Sequence, residues 1–251
     1  LGDILPVHVD RGPICRGFHA DISTDMTQML GMTELMVAMY EQPEALHRLA
    51  SFMRDAILAV QDAAEEAGDY SLAESMNQVE PYCHELPWPE ANSHGAGREQ
   101  LWGFCAAQEF ALVGPEQHEE FLLQYQEPIF EKYGLVHYGC CEDLCRKIDM
   151  LRGWKNLRSI AVTPAADVAV CAEQIGPAYV SSWRPNPTDM VCTAFDEDRI
   201  RRIVGGALKT FQANDCCVHL NLKDVETLQG ETDRMRRWTA LVHRIIDEVW
   251  E

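Results

Sequence analysis

From about Gly134 to its end the chain alternates short runs rich in β-branched and aromatic residues with segments of helical periodicity. Nothing else in the sequence restricts the fold as strongly, because this alternation is the pattern of βαβ units, whose strands align in a parallel sheet. The runs are Leu135 to Gly139, Asn156 to Val162, Tyr179 to Trp183 and Cys216 to Leu222. Apolar residues at helical spacing follow each of them. They are Leu144, Ile148 and Leu151; Val168, Cys171 and Ile175; Ile200, Ile203, Val204, Leu208 and Phe211; and Met235, Trp238, Leu241, Val242, Ile245 and Val249.

The first half is less regular. Pro43 fits the first position of a helix that carries Leu46, Leu49, Phe52, Ile57 and Val60 on one face and stops at Gly68. Pro115 opens another through Phe121, Leu122, Tyr125 and Ile129. Between them Pro81 to Gly97, with His84, Trp88 and His94, reads as a long loop. Such a loop either carries function or is a surface excursion packed by its own Trp88, and the sequence leaves both readings open. Candidate strands at Pro6 to Asp10, Tyr70 to Met76 and Leu101 to Ala107 bring the count to about seven, where a closed (β/α)8 barrel requires eight. The expected fold class is therefore α/β, of the (β/α)8 TIM-barrel type and short of part of the N-terminal region, with residues 1–251 forming one domain.

The charge of −19, from 21 Lys+Arg against 40 Asp+Glu, repels nucleic acid and anionic lipid and disfavours a polyanionic substrate unless cations gather locally. No apolar stretch approaches the roughly 20 residues of a membrane span. The opening Leu1-Gly2-Asp3-Ile4 lacks a basic leader region, so a cytoplasmic location is expected. The ten cysteines are scattered singly or as adjacent pairs, which fits free thiols better than a disulfide framework.

In parallel α/β barrels chemistry sits where strands end. Cys140-Cys141-Glu142-Asp143 offers thiols and a carboxylate, so Cys140 is a candidate zinc ligand and Glu142 a ligand or general base. Burial of one thiol in a core is the equal alternative. Thr163 to Asp167 and Lys223-Asp224 end two further runs, and the latter two residues either act on a substrate or pair with each other. In the last run Cys217, His219 and Asn221 alternate with Val218, Leu220 and Leu222. The apolar set is assigned to the helix side and the polar set to the lumen, with His219 a satisfied core residue or a ligand. The two prolines of Trp183-Arg184-Pro185-Asn186-Pro187 stiffen a loop, which holds Arg184 toward a carboxylate or phosphate, or against a neighbouring acid.

At these strand ends the chain resembles the uroporphyrinogen decarboxylase superfamily, specifically its divergent branch related to corrinoid-dependent methyltransferases. The resemblance covers nearly the whole chain. It rests on Tyr138-Gly139-Cys140-Cys141-Glu142, Asn156-Leu157-Arg158 leading to Ala166-Asp167-Val168, Ser182-Trp183-Arg184-Pro185-Asn186-Pro187, Leu222-Lys223-Asp224-Val225-Glu226-Thr227, and Leu101-Trp102 with Gln108. It implies a barrel with its pocket at the carboxyl ends of the strands. In the methyltransferase relatives a His-x-Cys at one strand end and a Cys at the last strand bind zinc. Cys140 matches the first cysteine, Tyr138 stands where the histidine would be, and the last cysteine falls near Lys223 and Asp224. Glu142 or His219 would then have to complete the site.

The implied activity moves a methyl group from a small methylated substrate, a methoxy-aromatic or a methylamine, to a corrinoid on a separate protein. Its catalytic residues would be Glu142, Asp167, Lys223 and Asp224, with Gln108, Tyr138, Trp183, Arg184, Asn186 and His219 binding the substrate. A decarboxylase of a porphyrinogen or smaller acid is the alternative enzyme, and it requires several Arg or Lys converging on one cleft. A noncatalytic barrel subunit would instead show an exposed apolar edge. The oligomeric state is open, a homo-oligomer among the alternatives.

Overall fold

The computed structural model describes residues 3–5, 9–73 and 83–250. They divide between two compact units, one of Leu1–Glu142 with Asp149–Arg158, the other of Asp143–Ile148 with Ser159–Glu251. The class is α/β, with a five-stranded parallel sheet in the order β1-β2-β3-β4-β5. The first unit holds α1 (Ser23–Leu30), α2 (Met32–Glu41), α3 (Pro43–Glu66), β1 (Trp102–Cys105), α4 (Pro115–His118), α5 (Gln124–Phe130) and β2 (Leu135–Tyr138). The short α6 (Ile148–Leu151) and β3 (Leu157–Val162) follow. The second unit continues with α7 (Val168–Ile175), β4 (Val180–Trp183), α8 (Glu197–Ala213), β5 (Cys217–Leu220) and α9 (Arg234–Trp250). Among the described residues no helix is long and apolar enough to cross a membrane.

All five strands lie inside runs expected from sequence, including the one at Leu101 to Ala107. Of the other two candidates, residues 6–8 and 74–76 lie outside the described residues, and 70–73 lead into a turn rather than a strand. β2 is buried along its whole length, as expected of an internal parallel strand covered on both faces. β5 spans only four of the expected seven residues, and none of them is fully buried. Val218 and Leu220 line a groove of about 540 Å³ with Leu208 of α8 and Trp238 and Val242 of α9, and Cys217 of the polar set lines it as well.

Helix α3 begins at Pro43 and ends one residue before Ala67, close to the limits its sequence predicts. The buried face differs. Leu46, Ala50, Met53, Ile57 and Gln61 point inward, whereas Phe52 is 71% and Val60 43% exposed. The cause is a polar anchor. Gln61 donates to the Cys15 carbonyl (2.7 Å) and accepts from Arg98 (3.2 Å), whose buried guanidinium also binds Glu65 (2.6 Å) and Asp62. Burying that guanidinium demands these partners, and satisfying them turns α3 by about one position relative to its apolar pattern.

Two further stretches depart from simple helical pattern. A π-helical turn, Glu119–Leu123, separates α4 from α5, and α5 contains Pro128. Helices α1 and α2 carry no strong sequence signal, yet they bury Met26, Leu35 and Met39.

Candidate active site

The first unit gathers three carboxyl groups at the carboxyl ends of β1 and β2. Each is placed by a different local device. After β2, Gly139 takes a left-handed φ of 102° and donates its N–H to the Cys105 carbonyl (2.8 Å). A side chain would be strained at that φ, so the glycine lets the chain leave the strand sharply. The turn buries Glu142 (2% exposed), whose two oxygens accept the N–H groups of Ala107 and Cys140, each at 2.8 Å. Glu142 thereby ties together the segments that follow β1 and β2.

The second carboxyl, Asp21, precedes α1 and is fully buried. Ile22 has φ 67° and ψ −41°, and the Ser23 N–H donates to the Asp21 carbonyl at 2.7 Å. This is a γ-turn with positive φ at a β-branched residue, a conformation that stores of order 1–3 kcal/mol and clusters at functional sites. The surroundings hold it in place. Gln126 on α5 donates from one amide nitrogen to both the Asp21 carbonyl (2.6 Å) and the Ala106 carbonyl (2.9 Å). Its oxygen accepts the Tyr138 hydroxyl (3.2 Å), and that hydroxyl accepts in turn from His118 Nε2 (2.9 Å). Donor and acceptor roles are then consistent along the chain His118, Tyr138, Gln126, with His118 protonated on Nε2.

Glu109, the third carboxyl, is half-buried in the short helical turn after β1. Ser23 and Thr24 donate their hydroxyls to its two oxygens at 2.8 and 3.1 Å. Ser23 Oγ also lies 3.3 Å from Asp21 Oδ1, so one hydroxyl bridges the buried carboxyl and the half-buried one. Asp21 Oδ1 accepts the Thr24 N–H (3.2 Å), while Oδ2 has no hydrogen-bond partner among the described residues.

Burial, with Glu109 and Glu142 nearby, pushes the Asp21 carboxyl well above its ordinary range, against the opposing Thr24 and Ser23 hydrogen bonds. The same surroundings raise the Cys105 thiol, through burial and then Asp21 and Glu142. The Tyr138 phenol is raised by burial and then by Cys105, Glu142 and Asp21. A carboxyl whose protonated form is favoured by burial and neighbouring acids suits proton donation, and groups perturbed in this way concentrate at active sites.

Of the residues expected from sequence, Gln108, Tyr138, Cys140 and Glu142 belong to this unit. Tyr138 is buried and engaged by His118 and Gln126, and Gln108 opens the turn that carries Glu109. Cys140 packs with Phe104, Ala106 and Phe18, its sulfur 3.5 Å from that of Cys141. Among the described residues no three His, Cys, Asp or Glu side chains converge as a metal-binding group. Each Glu142 oxygen accepts one backbone N–H group there.

The remaining candidates lie in the second unit. Asp167 is exposed and caps α7, accepting the N–H groups of Ala169 (2.8 Å) and Val170 (3.2 Å). Replacing it with Ala is expected to lower the unfolding free energy by about 1 kcal/mol, and replacing it with Asn by only a few tenths; urea unfolding measures both. Trp183 is buried against Phe211, with ring centroids 6.0 Å apart. Arg184 is buried and donates its N–H to the Val162 carbonyl (2.9 Å). Asn186 is exposed and accepts the Thr188 N–H (2.9 Å). His219 stands opposite Ser182 in the register of β4 and β5. Lys223 pairs with the exposed Asp224 at 3.5 Å, the mutual pairing that the sequence left open.

Sequence reasoning passed over Asp21, Ser23, Glu109, His118 and Gln126. The segment Asp21-Ile22-Ser23-Thr24 carries an N-terminal helix signal, polar residues ahead of a helical run, but nothing in it announces the γ-turn. Compared with known protein families and with curated proteins, the chain matches none.

Proposed function

We propose that the protein is an enzyme of the methyl-transfer type, in which Asp21 acts as general acid while a methyl group leaves a small methylated substrate. The observation that carries this reading is the fully buried Asp21 carboxyl, fixed by a strained γ-turn beside Glu109 and Glu142. The resemblance to the uroporphyrinogen decarboxylase superfamily supplies the rest, a barrel architecture and a corrinoid on a partner protein as methyl acceptor.

Departure of a methyl group from a methoxy-aromatic breaks the oxygen–methyl bond and leaves its electron pair on oxygen. Proton donation from Asp21 neutralises that oxygen as charge develops, which general acids do with an effect of about 10²–10⁴ in rate. A corrinoid on the partner would supply the electron pair for the new bond to the methyl group. Asp21 then regains its proton from solvent by way of Ser23 and the half-buried Glu109. Glu142, with its backbone donors, and Gln126 keep the two strand ends and the Asp21 turn in register. The acidic site supports a neutral or cationic substrate over a polycarboxylate such as a porphyrinogen.

The test incubates the purified chain with methoxylated aromatics and methylamines in the presence of chemically reduced cobalamin, and follows methylation of the cobalamin by its absorption spectrum. Substrate-dependent methylation at least about tenfold above the enzyme-free rate, lost in Asp21→Asn, is the expected result. Release of carbon dioxide from a porphyrinogen, with no methyl transfer from any compound, would replace this reading with the decarboxylase.

A further inference from the structure

The second unit contains a thiol pair that the proposed reaction does not use. Cys145, half-buried in the segment that precedes α6, and Cys171, fully buried on α7, bring their sulfurs to 3.4 Å across 26 positions of sequence. The pair is held from several sides. Asp167 directs its N–H at Cys145 Sγ (3.1 Å), Gln174 donates to the Cys145 carbonyl (2.6 Å), and the Cys145 N–H is taken by Asp143 (2.9 Å). Bond formation requires the sulfurs to close from 3.4 Å to about 2.05 Å.

We propose that Cys145 and Cys171 form a modification site at which a hydroperoxide installs a reversible disulfide. The half-buried Cys145 reacts first. As it gives up its proton, the Cys145 sulfur attacks the peroxide, forming a sulfur–oxygen bond and breaking the oxygen–oxygen bond, and the alkoxide released takes up that proton to leave as an alcohol. Cys171 then attacks the sulfenic sulfur of Cys145, forming the disulfide, and the departing hydroxide leaves with the Cys171 proton as water. Two thiols lose two electrons and one hydroperoxide is reduced to alcohol and water. In the resting protein both groups are thiols, because burial, then Asp143, raises Cys145, and burial, then Cys145, raises Cys171.

The other close pair discriminates the geometry. Cys140 and Cys141 have sulfurs 3.5 Å apart, but adjacent residues have Cα atoms about 3.8 Å apart, below the usual disulfide range of about 4.4–6.8 Å. Oxidation at limiting hydroperoxide is therefore directed to Cys145 and Cys171.

The experiment treats the full chain with tert-butyl hydroperoxide, alkylates the remaining thiols and maps the peptides by mass without reduction. A Cys145–Cys171 linked peptide, removed by dithiothreitol and accompanied by a rise in thermal midpoint of roughly 5 °C, is the expected result. Cys145→Ser is expected to abolish that peptide and leave Cys171 reduced. Cys145 ending as a sulfinic acid without a link, a link formed first between Cys140 and Cys141, or Cys171 joined to another cysteine would each overturn the assignment.

Discussion

Asp21→Asn is expected to lower methyl-transfer turnover by roughly 100-fold or more and to make the protein more stable near neutral pH. The two effects share one cause. The fold holds the Asp21 carboxyl in a site that favours its protonated form, through burial and through Glu109 and Glu142. An unfolded chain ionises the same group near pH 4. The stability that the protonated form contributes is fully present below that unfolded value and is lost as the pH rises through the raised folded value, at no more than about 1.4 kcal/mol per pH unit. Asparagine is neutral at every pH and of nearly the same size, so the variant escapes this loss. Urea unfolding of both proteins at several pH values checks the prediction: the advantage of the variant should be smallest in acid and grow toward neutrality. Exchange of stability for activity at one residue is expected of an active-site group.

Glu142→Ala should produce the largest loss of stability of any single change at the site. Removing the side chain leaves the N–H groups of Ala107 and Cys140 without their present acceptor at a buried junction. An unsatisfied buried donor costs about 1–3 kcal/mol, so the pair predicts a loss of about 2–6 kcal/mol. Glu142→Gln keeps one oxygen acceptor and turns an NH2 group toward the other donor, and should lose about half as much. Hydrogen exchange supplies the local readout: the amides of Ala107 and Cys140 should lose protection in Glu142→Ala ahead of the rest of β1 and β2.

The fold was legible where one interaction dominates. Strands β2, β3 and β4 are buried runs of β-forming residues followed by turns, and local pattern is enough to find them. Helices α8 and α9 bury the apolar stripes that their spacing marks out. Legibility fails where a distant polar group decides. The face of α3 is set by Arg98, which lies 37 positions beyond Gln61, and no local window of sequence contains both.

The site divides in the same way. Cys140 and Glu142 stand at a strand end and draw attention for that reason, and Glu142 does join the cluster. The Asp21 turn meets Glu109 across 86 and 85 positions, through Ser23 and Thr24, and meets Gln126 across 105. It is centred on isoleucine, a residue that local rules place last at positive φ. A strained backbone leaves no mark in the sequence, because the contacts that impose it are tertiary. Asp167 shows the converse: its position after β3 suits catalysis, and its carboxylate serves as the cap of α7.

The most direct test of general-acid catalysis by Asp21 compares wild type with Asp21→Asn over a series of methoxy-aromatics whose leaving phenols differ in acidity. A proton donor matters most when the leaving oxygen is most basic. The rate ratio should therefore be roughly 100-fold or more for unactivated substrates and shrink steadily toward unity as electron-withdrawing substituents make the phenol more acidic. An equal loss across the series would contradict proton donation and leave Asp21 a structural part in the turn.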